Sequence, residues 1–337
     1  MSLIPAKKSL FVIFFSFLYT ACFAQVFNSH LFKLSVEPEF SYANGCLKEI
    51  IYQSGDKSKK RSLLEWEKKL WFYGANVDMS VKKLHFDLKL KGAANDISGQ
   101  MRDSDWLSKT DYSMKTSYSW GDNISDQNYI AGFSIYYDLK ISRQFSICPF
   151  AGIDYQYDSF YRERGAKGRY GEAAYSSDMK DHWWYEEEAK VFPSERYWSE
   201  EKQAYVRLQI AEIDYKKHSV YTWAGVKMKF EEDRFKFMLE ACFSPYLYFS
   251  AEDKHHDSGD GMILHMIQDG CLAAFKTGIK AIFTVNEFLD LSCSLNYLDT
   301  KTLRGKIYYG WTAYPYQDSG ASAREFLTGI SATIKIF

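Results

Sequence analysis

The sequence predicts an all-β protein, a ten-stranded antiparallel up-and-down transmembrane β-barrel with long extracellular loops. Three observations predict it. Polar and apolar residues alternate with period two along most of the chain, the pattern of strands that present one apolar face. The connections between these stretches fall into a short and a long class that alternate, as when tight turns close one end of a barrel and loops crown the other. Aromatic residues make up 18% of the 337 residues while mean hydropathy stays negative, which suits a barrel and not a bundle of apolar helices.

Read in order, the chain opens with "MSLIPAKKSLFVIFFSFLYTACFAQ", expected to be an export signal over 1–24. Lys7 and Lys8 form its positive end, Leu10 to Leu18 its apolar core, and "ACFA" a small-residue cleavage site before Gln25. Leu18 to Cys22 also loosely matches a lipoprotein box that would lipidate Cys22. A single barrel domain is expected over 25–337, with no repeat and no linker to divide it. Its candidate strands are 31–50, 61–78, 82–94, 127–141, 145–161, 204–230, 234–249, 271–285, 287–299 and 324–337. Leu84, Phe86, Leu88 and Leu90 alternate with His85, Asp87, Lys89 and Lys91, and Phe235, Phe237, Leu239, Ala241 and Phe243 form a second stripe. The 204–230 stretch is long, and a turn near 216–218 would split it in two. Short turns fall at 79–81, 142–144, 231–234 and Asn286; long polar connections fall at 51–60, 95–126, 162–203, 250–270 and 300–323. Phe337 ends the chain out of phase with the stripe Ile330, Ala332, Ile334 and Ile336.

Several classes of function find no support. A formal net charge of -1 gives no electrostatic reason to expect nucleic acid. There is no Gly-rich phosphate loop, no GxSxG elbow and no HExxH, and "DKHHDSGDG" departs from the calcium loop. Five cysteines follow the export signal (Cys46, Cys148, Cys242, Cys271 and Cys293), an odd number that argues against a full disulfide framework. Asp253, His255, His256, Asp257 and His265 form a conceivable metal set, since imidazole and carboxylate suit zinc. No cofactor is expected.

Two pairs can carry chemistry if the long connections meet on one rim. Asp103 and Asp105 are two residues apart in "MRDSDW", as are Asp253 and His255 in "SAEDKHHDSG". Residues i and i+2 of a strand share a face, so a wall continuing above the membrane would aim each pair into one cleft. An Asp beside a His fixes its tautomer and raises its basicity. Two close carboxylates raise the pKa of one, so that one keeps a proton while the other is ionised. Together they can hold and activate a water; solvated loop charges are the plainer reading of each pair alone.

The segments "GCLKEIIY" (45–52), "SLLEW" (62–66), "RDSDW" (102–106), "SWGD" (119–122), "QNY" (127–129) and "AEDKHHD" (251–257), with the ending at Phe337, resemble in order the omptins, outer-membrane proteases of Gram-negative bacteria. The resemblance implies a ten-stranded barrel with a groove at its extracellular top, where a carboxylate pair and a His–Asp pair activate a water that attacks a peptide bond. By position Asp103 and Asp105 match the carboxylate pair, His255 the base and Asp253 its orienting partner. His256 is incidental on this reading. The family cuts between basic residues, and its acids for the two sides of the cut match Glu49 and Asp122.

Two departures qualify this. Where the family places a second acid for the first pocket, this chain has Ala251, with Glu252 expected on the opposite face, which argues against strict dibasic preference. On the outer wall, Ile153, Tyr155, Tyr157 and His218 stand where the family grips lipopolysaccharide, so dependence on that lipid is not expected. The implied function is an outer-membrane endopeptidase acting on polypeptides with basic residues. The alternative from another class is a non-catalytic barrel serving as adhesin or surface receptor; a narrow pore is a third reading.

Overall fold

The computed structural model describes residues 32–108, 111–113, 115–163, 167–170, 196–199, 204–207, 211–256, 262–310, 312 and 315–336. The expected export signal over 1–24 with Cys22, the acidic run at 185–190, Asp257 and Phe337 lie outside the described residues.

The strands are β1 (Phe32–Gln53), β2 (Asp56–Val81), β3 (Leu84–Ala93), β4 (Ile97–Asp105), β5 (Ser117–Tyr137), β6 (Leu139–Lys140), β7 (Phe145–Glu163), β8 (Lys167–Tyr170), β9 (Arg196–Ser199) and β10 (Ala204–Arg207). The second half holds β11 (Ala211–Glu232), β12 (Phe235–Phe243), β13 (Tyr246–His255), β14 (Met262–Cys271), β15 (Ala274–Thr284), β16 (Leu289–Thr300), β17 (Leu303–Tyr309) and β18 (Gln317–Lys335). They assemble into ten staves, because β3 and β4 share one stave, as do β12 and β13, β14 and β15, and β16 and β17. Every neighbouring pair is antiparallel, and β1 pairs with β18 from Ser35↔Lys335 to Ile51↔Ser319, closing the ring. Closure leaves the ring itself without an open edge, while β9 and β10 pair with each other as a separate two-stranded sheet.

The two faces of this wall have opposite character. The outside of the lower barrel exposes Phe40, Phe133, Ile153, Phe237, Leu291 and Ile330, the apolar stripes expected from the alternation. The inside is lined with ions. Lys276 lies 3.0 Å from Glu240 and 3.8 Å from Asp154, and Asp154 also pairs with Lys89 at 3.1 Å. Lys280 donates to both oxygens of Glu37, which also accepts from Ser331 Oγ at 2.7 Å and Thr333 Oγ1 at 3.0 Å. Side chains of this size fill a ten-stranded lumen, which leaves the pore reading without support. Higher up the core turns aromatic: Trp66 stacks on Tyr215 with ring centroids 5.3 Å apart and on Phe160 at 6.2 Å. Lys68 lies beside it, fully buried, 3.0 Å from Asp158 and 2.8 Å from Glu325.

The staves run well past the ends read from the sequence. Much of the polar sequence expected as loop is wall: β1 reaches Gln53, β4 and the start of β5 occupy 97–105 and 117–126, and β13, β14, β17 and β18 take most of 250–271 and 303–323. Above the apolar belt the outer face is polar too, with ion pairs such as Lys48–Glu65 at 2.6 Å and Lys216–Glu252 at 3.9 Å. A strand with two polar faces has no apolar stripe to read. The turn considered near 216–218 is absent: those residues pair with Ser159, Asp158 and Tyr157 on one side and with Glu252, Ala251 and Ser250 on the other. The breaks inside three adjacent staves align, since Ser244 N donates to Ala274 O at 2.9 Å and Lys301 N to Ala273 O at 2.8 Å. They divide the belt from the upper barrel that carries the site.

Removing the cation from the Lys68 triad strands two buried carboxylates. Lys68→Met should lower the unfolding free energy of the detergent-refolded barrel by about 3–5 kcal/mol in urea titration. Adding Glu325→Gln should recover part of that loss.

Candidate active site

Strand register brings the candidate residues together from three staves. On β13, Asp253 and His255 share the inward face, Asp253 fully buried and His255 near the opening. The ring of His255 donates from Nε2 to Asp253 Oδ2 at 2.8 Å. On β4, Asp103 pairs with Leu64 of β2 and Ser119 of β5. Leu64 in turn pairs with Glu49 of β1, so Glu49, Leu64, Asp103 and Ser119 form one inward row. Asp105 sits one inward position above Asp103 and accepts from Ser117 Oγ at 2.7 Å. The staves of Asp103 and Asp253 stand across the lumen from one another, with β5, β7 and β11 between them on the shorter path.

The electrostatics follow from burial and from crowded acids. Burial pushes the Asp103 carboxyl up to about 7, helped by the charges of Asp105 and Asp253 and opposed by Arg162 and His255. For His255 burial works against the charged form, but the charge and hydrogen bond of Asp253 outweigh it and, with Asp103, push the imidazole up to about 9. Glu49 is held well above the usual carboxylate range by burial, then by Asp253 and Asp103, with Lys217 opposing. Between about 7 and about 9 the Asp103–His255 pair holds one proton, and it titrates as a unit. Neither oxygen of Glu49, nor Oδ1 of Asp103 or Asp253, has a hydrogen-bond partner among the described residues.

Not every expected residue arrives. Asp122 is exposed, and alternation along β5 puts it on the face opposite Ser119 and Asn123, outside the groove. The acid expected for one side of the cut is therefore displaced, because the matched tetrapeptide fixes its position in sequence while the pleat fixes its direction. His256 turns away to Asp214, 2.8 Å from its Oδ2. His265 Nδ1 lies 3.8 Å from Glu252, its register partner. Since alternation sets Glu252 and His265 opposite Asp253, the conceivable metal set is split between the two faces. Ala251 is inward and buried.

Sequence reasoning missed Arg162 and Lys217. Arg162 is buried on the inward face of β7 and donates from Nη1 to Ser119 Oγ at 2.8 Å and to Met101 Sδ at 3.3 Å. These groups flank Asp103, Ser119 as its cross-strand partner and Met101 two residues before it on the same face. The step of two from Asp158 through Phe160 to Arg162 was the signal available. Lys217 is fully buried with its Nζ 3.6 Å from the Phe249 ring centroid.

No protein-family model matches the chain, and no curated protein matches its sequence. Among solved structures, the outer membrane protease OmpT from Escherichia coli superposes with a TM-score of 0.72 at 13% identity, covering 91% of this chain and 99% of that one. The fold is that of an outer-membrane β-barrel. At such low identity the likeness establishes the architecture and leaves the chemistry to the residues. Neisserial surface protein A covers 89% of this chain at 8% identity and 96% of its own length, with a TM-score of 0.28. Ail from Yersinia pestis covers 90% at 6% identity and 99% of its own length, also at 0.28. Superpositions that loose carry no argument.

The dyad makes a prediction independent of any activity. The His255 imidazole should titrate near 9 by NMR of histidine-labelled protein in micelles, assigned with His255→Gln. Asp253→Asn removes the charge that holds the proton and should bring this titration down toward the ordinary histidine range.

Proposed function

We propose that this chain is an outer-membrane endopeptidase whose groove opens to the cell exterior. The observation that carries the reading is the half-buried Asp253–His255 hydrogen bond on the stave across the lumen from that of Asp103. The apolar belt with a polar wall above it supports the membrane placement, and the shared architecture with a barrel named as a protease supports the reaction class.

In the one-proton form, a water held between Asp103 and His255 loses its proton to the unprotonated member as its oxygen bonds to the peptide carbonyl carbon. The carbonyl π pair moves to oxygen. Collapse of this intermediate breaks the C–N bond, and the leaving amine takes a proton from the pair. Asp253 holds the His255 ring in one orientation and stabilises its charged form, as an orienting carboxylate does in other acid–base pairs. Burial, with like-charge repulsion from Asp105 added to it, keeps the Asp103 proton affinity near neutrality.

Polypeptides are the proposed substrates. A preference for basic residues rests here on Glu49 alone, since Ala251 supplies no second acid and Asp122 faces outward. Lipopolysaccharide is proposed not to be required. The wall cluster of Tyr129, Tyr155, Tyr157 and His218 is aromatic, with Tyr155 Oη 2.7 Å from His218 Nδ1, and it offers little permanent positive charge for lipid phosphate.

The test uses folded protein in detergent with quenched peptides, with and without lipopolysaccharide and chelator. Chelator-resistant cleavage should fall by about 10²-fold or more in Asp103→Ala and in His255→Ala. His256→Ala, whose ring contacts Asp214 away from the groove, should stay within about threefold of the parent. No cleavage from a barrel shown to be folded would turn the assignment to a non-catalytic surface protein. The kcat/KM profile should be bell-shaped with limbs near 7 and 9. Asp105→Asn removes a charge that raises Asp103, so it should move the acid limb downward.

A further inference from the structure

The outer lip of the groove concentrates positive charge. The β1–β2 hairpin carries Lys57, Lys59, Lys60 and Arg61 against Asp56, in a chain whose formal net charge is -1. Asp56 lies 3.9 Å from Lys59, and Lys57 shares Asp318 with Lys306. Among the described residues no carboxylate comes within ion-pair distance of Lys60, Arg61 or Lys115. The ammonium groups are mounted on rings. Lys59 Nζ stands 5.3 Å from the Tyr112 centroid and Lys60 Nζ 5.7 Å from that of Trp106; Lys115 Nζ is 5.3 Å from Trp106 and 4.9 Å from Tyr118. Two ammonium groups on one indole bring Lys60 and Lys115 together. Burial, opposed by Glu65 and helped by Lys60, lowers the proton affinity of Lys115.

Hydrogen bonds hold these groups as one surface. Gln53 Nε2 donates to Trp106 O at 2.6 Å and to Lys60 O at 3.2 Å, and Trp106 N donates to Arg61 O at 2.8 Å. The hairpin is thereby tied to the connection that follows β4. Lys115 Nζ donates to Ser104 Oγ at 3.2 Å. Ser104 stands between Asp103 and Asp105 on β4, and alternation turns it to the opposite face. The lysines therefore sit on the back of the strand whose inner face carries the carboxylate pair. They also stand clear of the bilayer. From Trp71, an exposed ring of the belt stacked on Phe40, β2 climbs to Lys60. At about 3.3 Å per residue and about 40° of strand tilt the rise is about 28 Å, past the lipid headgroups.

Exposed ammonium groups without counter-charge call for an anion, and each is a flexible point charge with three donors, suited to carboxylates spaced unevenly along a chain. Single-stranded nucleic acid would stack its bases on the ring faces, and here lysines already lie over them. A polypeptide that leaves the groove over this lip passes from the inward acids Glu49, Asp103 and Asp105 to the outward lysines, so the wall sorts its charges, basic inside and acidic outside. We propose that Lys59, Lys60 and Lys115, mounted on Tyr112, Trp106 and Tyr118, form an exosite that holds an acidic stretch of the polypeptide substrate. This rests on the endopeptidase reading and adds to it a second point of contact outside the groove. The three lysines bind substrate and take no part at the reacting bond.

The experiment uses full-length folded protein in uncharged detergent and quenched peptides that share one cleaved core. A run of Glu or of Gln is joined at either end through a spacer of about six residues, which spans about 20 Å when extended. At one of the two ends the Glu run should lower KM about tenfold relative to the Gln run with kcat within about twofold, and about 0.5 M salt should erase most of that gain. Changing Lys59, Lys60 and Lys115 together to Glu should abolish the gain and leave kcat/KM for the Gln-run peptide within about twofold of the parent. The same triple change to Gln serves if the Glu variant folds poorly. Equal KM for Glu and Gln runs at both ends, with all peptides cleaved, overturns the exosite and leaves the endopeptidase standing. Displacement of a labelled Glu-run peptide by a sulfated polysaccharide far more readily than by the unlabelled peptide assigns the surface to that polymer and overturns it as well. Cleavage of no peptide by folded protein overturns both readings. The wild-type comparison decides the matter even if neither variant can be refolded.

Discussion

Closure of the hydrogen-bonded ring between β1 and β18 is the constraint on which the other features depend. In an apolar surround each unpaired backbone group is costly, and a sheet escapes that cost only by joining its own edges. Once the ring is closed, the pleat sorts every residue into an outward or an inward set. Glu49, Asp103, Asp105, Asp253 and His255 are inward because of their parity on particular strands, and Asp122 and His265 are outward for the same reason. A one-residue slip in β13 would exchange Asp253 and His255 for Glu252 and Lys254 and dismantle the site.

The lumen then has to accommodate the polar half of every strand. It does so with ion pairs low in the barrel, around Asp154, Glu240 and Glu37, and with the Lys68 triad higher up. Those carboxylates are matched by cations. At the top the matching lapses: Asp103, Asp105, Asp253 and Glu49 outnumber Arg162, His255 and Lys217, and protons make up the difference. Burial first, and the neighbouring acids second, raise Asp103, while Asp253 overcomes burial to raise His255.

The aligned strand breaks give the upper barrel a boundary of its own. Below them the outer face must be apolar; above them it carries Lys48–Glu65 and Lys216–Glu252. Freed from lipid, the upper wall can hold a solvent-reachable groove over a rigid floor of Trp66, Phe160 and Tyr215, and side chains set on strands are placed more firmly than side chains set on loops.

The amino-acid sequence by itself determined the barrel, because period-two alternation and two classes of connection are local properties that a lipid-facing sheet imposes on every strand. It also marked Asp103–Asp105 and Asp253–His255 as pairs able to share a face, because spacing of two is a statement about a single strand. It did not mark the upper wall as strand, since a sheet polar on both faces carries no stripe. Only the tertiary structure decided which pairs meet. Arg162, Lys217 and Glu49 matter through register across several staves, and no spacing within one segment encodes that. The inward direction of Ala251 beside Lys217 and the outward direction of Asp122 were likewise settled by strand pairing, which fixes the pleat's parity at each position.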